Sequence, residues 1–269
     1  MKKCIAKITH NKRVAPDFCK IRVVSGYLAK TARPGQFVMV RCESAPDTLL
    51  RRPLGIHRIY SDGIEMLYEI VGKGTAALSE KRTGEPLDIL GPLGNGFETD
   101  EALASKSKVT IISGGIGVAP LTALAEDIHK AGQRDITVIL GARRKTHILC
   151  EDEFRAFGCK VIVSTDDGSM GKKGLVTDIL KKRTTHAEGT KDNIIYACGP
   201  NPMLKAVWAI AAPLGIPCQF SFEEHMACGV GVCLGCPVKV RPADGSSAFG
   251  YKMVCKDGPV FSGEEIVWG

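Results

Sequence analysis

Val109-Thr110-Ile111-Ile112-Ser113-Gly114-Gly115-Ile116-Gly117-Val118-Ala119-Pro120 is the stretch on which the fold turns. A short apolar run closed by glycines reads as a buried strand, and residues 121–130 behind it carry helical spacing. Glycines in such a strand-to-helix turn let the backbone approach a pyrophosphate, whose charge is met by the helix N-terminus. The dinucleotide fingerprint is incomplete, because Pro120 stands at its third glycine position. A plain tight loop would show the same glycines, so the turn alone decides little. It has a partner in Tyr196-Ala197-Cys198-Gly199-Pro200-Asn201-Pro202-Met203, a second strand-to-helix turn. In a parallel sheet both turns open at the same carboxyl edge, which makes a ligand crevice there.

The pattern around these turns supports that sheet. Apolar runs at 137–140, 161–164 and 194–197 alternate with helical stretches at 151–157, 176–182 and 203–214, which predicts a parallel α/β sheet. Upstream, short strands at 4–10, 18–24, 36–41, 55–60, 64–71 and 87–90 are punctuated by Pro34-Gly35, Asp62-Gly63 and Gly84. Their even spacing predicts a small antiparallel β-barrel. The last fifty residues are rich in glycine and cysteine, with one short apolar strand at 238–240 and too little apolar material for a core of their own. The expectation is a multi-domain β and α/β chain: a barrel over 1–103, a nucleotide-binding α/β unit over 104–217 and a small module over 218–269.

A length of 269 residues fits two packed units with a small third. The net charge of +7 raises the question of nucleic acid. Yet the basic residues are scattered, the longest runs being Arg143-Arg144-Lys145 and Lys181-Lys182-Arg183, and no basic stripe with interleaved aromatics exists. Near the N-terminus Lys7 interrupts the apolar residues before a secretory core develops. No window holds the roughly 18 uninterrupted apolar residues of a membrane helix. The expectation is a soluble, cytoplasmic protein that binds neither nucleic acid nor membrane. In that setting eleven cysteines argue for thiols or metal ligands rather than a disulfide framework.

Four of those cysteines form a pattern. Cys228, Cys233, Cys236 and Cys255 give C-x4-C-x2-C-x18-C, and the spacing of the first three cysteines matches the plant-type arrangement of thiolates around a 2Fe-2S cluster. Gly229, Gly231 and Gly235 let the loop turn sharply and bring backbone N–H groups to the sulfurs. A zinc site is the alternative, but it usually shows two C-x2-C pairs, and only one is present. The other seven, Cys4, Cys19, Cys42, Cys150, Cys159, Cys198 and Cys218, sit singly in apolar or turn contexts and read as buried small hydrophobes.

Within the barrel, Leu50-Arg51-Arg52-Pro53-Leu54-Gly55 sets paired guanidiniums beside a strand, where they can grip a phosphate or a flavin edge. Val71-Gly72-Lys73-Gly74-Thr75 opens a short helix with glycines and a hydroxyl, a second candidate anion site. Taken singly, the first is more often a solvated charge pair and the second more often a turn.

The barrel with its Arg-Pro motif, Gly114 to Pro120, Tyr196 to Met203 and Glu223-Glu224-His225-Met226-Ala227-Cys228-Gly229-Val230-Gly231 together resemble the ferredoxin-NADP reductase superfamily. Within it, the chain is most similar to the electron-transfer subunits of class 1B dihydroorotate dehydrogenases, over nearly its whole length. That resemblance implies FAD held by Arg51, Arg52, Pro53, Leu54, Gly55, Tyr68, Ile70, Val71, Gly72, Gly74 and Thr75. It implies NADH on Gly114, Gly115, Gly117, Cys198, Gly199 and Pro200, and a 2Fe-2S cluster on Cys228, Cys233, Cys236 and Cys255. It further implies a partner, an FMN-containing catalytic subunit in a heterotetramer with two copies of each chain. One departure stands out: the flavin motif Arg-x-Tyr-Ser/Thr reads Arg52-Pro53-Leu54-Gly55, without the aromatic and the hydroxyl.

The nicotinamide is read as NADH. Arg143-Arg144-Lys145 alone leans toward NADPH, whereas Asp166 and Asp167 after the next strand would disfavour a 2'-phosphate. The cofactors carry the reactivity, so no side chain is assigned as general acid or base and the chain by itself should reduce dyes but not orotate. Three alternatives stay open: the small subunit of an NADH-dependent ferredoxin-NADP oxidoreductase, a sulfhydrogenase or sulfite reductase flavoprotein, and a non-enzymatic zinc or redox-sensing nucleotide-binding module. The first of these families carries aspartate where this chain has Cys228.

Overall fold

A computed structural model describes residues 1–42, 49–99, 108–133, 135–185, 192–242 and 249–269. The expected boundary at 103/104 lies outside the described residues.

The N-terminal part is a closed barrel. Its elements are β1 (Lys2–Ala15), β2 (Phe18–Val24), helix α1 (Gly26–Thr31), β3 (Phe37–Arg41), β4 (Arg52–Ile59), β5 (Gly63–Glu69), helix α2 (Lys73–Ser79) and β6 (Pro86–Leu93). The strands close in the order β1-β2-β5-β4-β3-β6. Alternation sets the inside: on β2, Cys19, Ile21 and Val23 point in, while Lys20 and Arg22 between them do not. Ile8, Val38, Ile56, Met66 and Ile89 complete an interior with no exposed surface. All six predicted strands are present. β1 runs on to Ala15 because residues 10–15 pair with the far end of β2 as an exposed ribbon.

The second sheet has seven strands. It is built from β7 (Lys108–Gly114), α3 (Val118–Lys130), β8 (Ile136–Ala142), α4 (Glu151–Ala156), β9 (Lys160–Thr165), β10 (Lys172–Lys173), α5 (Val176–Thr185), β11 (Asn193–Cys198), α6 (Asn201–Ala211) and β12 (Cys218–Ser221). In the tail follow β13 (Pro237–Val240), β14 (Gly250–Met253) and β15 (Val260–Ser262). The order is β10-β9-β8-β7-β11-β12-β15, parallel except for β15, which runs antiparallel to β12. β7 sits between β8 and β11, so the chain winds both ways from it, and a crevice opens at the carboxyl ends of β7 and β11.

Two of those strands lie beyond residue 217. β12 and β15, together with β14 in a separate hairpin with β13, are absent from the sequence reading, as is the single helical turn or so of α1. The tail thus lends strands to the sheet. Its apolar residues Cys236, Val240, Val254, Cys255, Phe261 and Ile266 join the same core as Ile112, Ile195 and Val207 of the sheet layer. Trp208, Phe220, Phe222, Phe261 and Trp268 form a continuous aromatic group across that boundary, with Phe220 and Trp268 centroids 5.1 Å apart. Each large side chain buried there stabilises by about 1.5–3 kcal/mol, enough to hold a tail that lacks its own core.

α3 lies against β4 of the barrel. The His57 ring donates from Nδ1 to the Ala119 carbonyl at 3.0 Å, since a carbonyl oxygen only accepts. The Arg58 guanidinium grips both carboxylate oxygens of Glu126 at 3.0 Å. The barrel and the glycine loop are therefore fixed to each other at the very start of α3. No helix among the described residues is long and apolar enough to cross a membrane.

Candidate functional site

The glycine loop comes first because β7 delivers it. β7 ends at Gly114, Gly115 takes φ +56°, and a short turn through Gly117 leads into α3. Gly117 has another reason to be glycine: a Cβ there would lie 2.5 Å from the Cys198 carbonyl oxygen and 2.7 Å from Gly199 N. Gly199 in turn leaves room for Gly114 N, 2.9 Å from where its Cβ would stand. The two strand-to-helix turns are packed backbone to backbone.

A cleft of about 560 Å³ opens over them. Gly114, Gly115, Ile116, Gly141, Arg143, Asp166, Pro200 and Met203 line it, all at or just beyond the carboxyl ends of the parallel strands. Gly117 and Gly199 shape the loops rather than line the cleft. β8 and β9 run in register to Ala142 and Thr165, so Arg143 and Asp166 follow side by side at its mouth. Asp167 faces its own turn instead, accepting from Ser169 N at 2.9 Å and Ser169 Oγ at 2.6 Å.

A second cleft, about 570 Å³, lies between barrel and sheet. From the barrel come Arg52, Pro53, Leu54, Gly55, Tyr68, Val71 and Thr75; from the loops, Ile116, Pro120 and Cys198; from the tail, Phe222 to Met226. Arg52 and Arg51, alike in sequence, part company. Arg52 lines the cleft over Gly74, whose absent side chain would sit 2.8 Å from the Arg52 Nε. Arg51 is spent on structure: its guanidinium takes both Asp88 carboxylate oxygens at 2.9 Å and the Asp88 carbonyl at 3.1 Å. Thr75 Oγ1 accepts from Val71 N at 3.0 Å, which closes the first turn of α2. Tyr68 is buried and its hydroxyl donates to Asn11. Ile70 packs against the barrel interior, and Gly72 caps α2.

Glu69, Ile116 and Glu223 line both clefts. Ligands seated in the two would meet across these three residues, none of which the sequence reading assigned to a cofactor. Burial, and then the charge of Glu69, push the Glu223 carboxyl up. Burial, and then Glu223, hold the Cys198 thiol well above its ordinary range, so it is a neutral wall of the second cleft. A larger hollow of about 930 Å³, lined by Arg33, Asn95, Glu126 and Lys130 among others, contains none of the predicted site residues.

The four tail cysteines converge on one loop. Val230 N and Cys233 N donate to Cys228 Sγ at 3.4 Å, Gly231 N to Cys255 Sγ at 3.1 Å, and Cys255 N to Cys236 Sγ at 3.5 Å. Burial opposes ionisation of Cys228, but these N–H groups pull its thiol down to about 6. N–H groups aimed at thiolates are what an iron–sulfur cluster asks of its loop, so the donor set fits. Gly229, φ +71°, seats the loop on the barrel: a Cβ there would lie 2.6 Å from Met39 Cγ of β3. Cys236 and Cys255 are buried, while Cys233 is exposed between Val232 and Leu234, exposed at 79% and 65%. Among the other cysteines, Cys19, Cys42, Cys159, Cys198 and Cys218 are buried as expected. Cys4 and Cys150 are only half-buried, which corrects that reading for these two.

Barrel, doubly wound sheet, shared clefts and a terminal thiolate loop define an oxidoreductase of the ferredoxin-NADP reductase type with an appended iron–sulfur module. Comparison narrows the class. Residues 111–208 match the oxidoreductase NAD-binding domain, and residues 223–267 match the iron-sulfur cluster binding domain of dihydroorotate dehydrogenase B. The chain is 39% identical over 263 residues to the "Dihydroorotate dehydrogenase B (NAD(+)), electron transfer subunit" of Caldanaerobacter subterraneus subsp. tengcongensis, covering 98% of each. It is 44% identical over 247 residues to the subunit of the same name from Geobacillus kaustophilus, covering 91% of each. Among solved structures, a chain of an NADH-dependent reduced ferredoxin-NADP oxidoreductase superposes with TM-score 0.83 at 34% identity, over 98% of this chain and 90% of that one. The protein belongs to the family of dihydroorotate dehydrogenase B electron transfer subunits. It is an NAD-linked electron-transfer oxidoreductase subunit.

Proposed function

We propose that the chain carries electrons between NADH and a separate, FMN-containing dihydroorotate dehydrogenase catalytic subunit, by way of FAD and a 2Fe-2S cluster. In orotate formation for pyrimidine synthesis, NAD+ is then the final acceptor. One observation supports this most: the segment Phe222 to Met226 lines the second cleft, and the first cluster cysteine, Cys228, follows two residues later. A cofactor in that cleft and a cluster on that loop are neighbours by chain continuity. When bound, the flavin accepts a hydride from NADH and releases its electrons singly to the cluster.

The chain's own residues bind and align. Arg52 would meet the flavin diphosphate, with Tyr68, Val71 and Thr75 shaping its side of the cleft. Gly114, Gly115 and Pro200 would let the NADH pyrophosphate approach the backbone, and Asp166 would repel a 2'-phosphate. Cys228, Cys233, Cys236 and Cys255 would hold the irons. Exposed Val232, Cys233 and Leu234 form the face from which electrons would leave to the partner. Three working units, 1–103, 104–217 and 218–269, remain a useful division, with the third returning two strands to the sheet of the second. A cytoplasmic heterotetramer with two copies of each chain is the expected assembly.

Copurification with the catalytic subunit, followed by an assay of NADH-dependent orotate reduction, tests the reading. The complex should reduce orotate, while this subunit alone should reduce only artificial dyes. Delivery of electrons to ferredoxin in place of orotate would transfer the protein to the ferredoxin-NADP oxidoreductase reading.

A further inference from the structure

The seam between barrel and sheet gathers a set of ligand-type side chains that the electron path does not use. His57 of β4, Cys150 just before α4 and Glu153 in its first turn bring one donor atom each within 4.8 Å of one another. We propose that these three residues hold a zinc ion that ties the barrel to the nucleotide-binding sheet.

The histidine is prepared for it. His57 has no exposed surface, and its Nδ1–H is taken by the Ala119 carbonyl at 3.0 Å, which leaves Nε2 to face Glu153. Metal-bound histidines are typically oriented in this way, with the other ring N–H on a carbonyl or carboxylate. Nε2 and Glu153 Oε1 are 3.3 Å apart. That is long for a charged hydrogen bond, which runs at about 2.7–2.9 Å. It is close to the separation of about 3.4 Å between nitrogen and oxygen ligands on a tetrahedral zinc with the usual bond lengths.

The surroundings complete the site. Glu65 Oε1 lies 3.9 Å from His57 Nε2, which puts a second carboxylate charge beside the three donors. Both carboxylates are fixed from outside, Glu153 Oε2 by Lys20 Nζ at 2.5 Å and Glu65 Oε2 by His10 Nε2 at 2.8 Å. The Lys20 charge would repel a bare dication. With a Cys150 thiolate and two carboxylates, however, zinc and lysine sum to neutrality, the balance a half-buried site needs. Lys20, Glu65, Cys150 and Glu153 also line an open cleft of about 640 Å³, which provides an entry path.

The test uses tag-free, full-length protein isolated anaerobically from zinc-supplemented cells and desalted, with zinc and iron measured by mass spectrometry. The wild type should hold one equivalent of zinc alongside its iron. Cys150→Ser should lose the zinc and keep the iron, weakening zinc by more than the roughly 100-fold that outer-shell changes cost. Cys233→Ser should do the reverse, which separates this site from the cluster loop. Added zinc should raise the melting temperature of the wild type but not of Cys150→Ser, and cobalt should give a thiolate charge-transfer band only when Cys150 is present. Wild-type protein without zinc and without a zinc-dependent melting shift, or zinc that survives Cys150→Ser, overturns the proposal.

Discussion

Gly117→Ala offers a sharp test of how the nucleotide loops work. The added Cβ would lie 2.5 Å from the Cys198 carbonyl oxygen, where ordinary contact begins at 3.4 Å, so the two loops must part by about 0.9 Å. Both neighbours are backbone, with no flexible side chain to yield. Overpacking of this kind costs about 1–3 kcal/mol. At about 2–4 °C per kcal/mol for a chain of this size, a 2 kcal/mol loss lowers the melting temperature by about 4–8 °C. Displacement on the order of 1 Å in a positioned ligand can cost about 100-fold in rate. Anaerobic NADH-dependent dye reduction should therefore lose about one to two orders of magnitude in kcat/KM, with flavin and iron contents unchanged. Gly132→Ala, just past the far end of α3 and outside both clefts, is the control: its φ is +100° but nothing lies within 4 Å of the new Cβ. It should cost about 1–2 kcal/mol in backbone strain without moving the loops apart. Wild-type NADH kinetics in Gly117→Ala, or a greater kinetic loss in Gly132→Ala, would refute the loop-packing argument.

Three further outcomes follow from the site. Cys233→Ser should leave flavin reduction by NADH largely intact while abolishing electron delivery to the partner; equal loss of both in stopped-flow traces would contradict the order of carriers. Arg52→Ala should release flavin on gel filtration, whereas Arg51→Ala should retain it but unfold more easily, losing at most about 3–5 kcal/mol of stability with its Asp88 pair. Asp166→Ala should shift the NADPH to NADH ratio of kcat/KM upward by about tenfold, or ~1.4 kcal/mol. Asp167→Ala should leave that ratio alone, because its carboxylate is held by Ser169.

Much of the fold was legible because it rests on periodicity. The barrel strands are set off at even spacing by Pro34-Gly35, Asp62-Gly63 and Gly84, and the apolar runs 109–112, 137–140, 161–164 and 194–197 fall within the observed parallel strands. β12 and β15 escaped because they are three or four residues long and β15 finds its partner some forty residues upstream, a pairing no local pattern encodes. The thiolate loop was legible from spacing alone. The shared wall of the two clefts was not: Glu69 ends a barrel strand and Glu223 lies more than 150 residues on, and only the docking of barrel on sheet brings them together. Arg51 and Arg52 show the same limit. Adjacent and identical, they differ only because Asp88 of β6 stands within reach of the first.

In the proposed path, electrons enter at the nucleotide cleft and reach the thiolate loop within this one chain. Anaerobic titration of the isolated subunit with NADH, followed by visible absorbance and low-temperature electron paramagnetic resonance, tests that directly. Bleaching of the flavin band together with the resonance of a reduced 2Fe-2S cluster is the predicted result. A flavin that bleaches while the cluster stays oxidised, or protein that contains no iron, would contradict it.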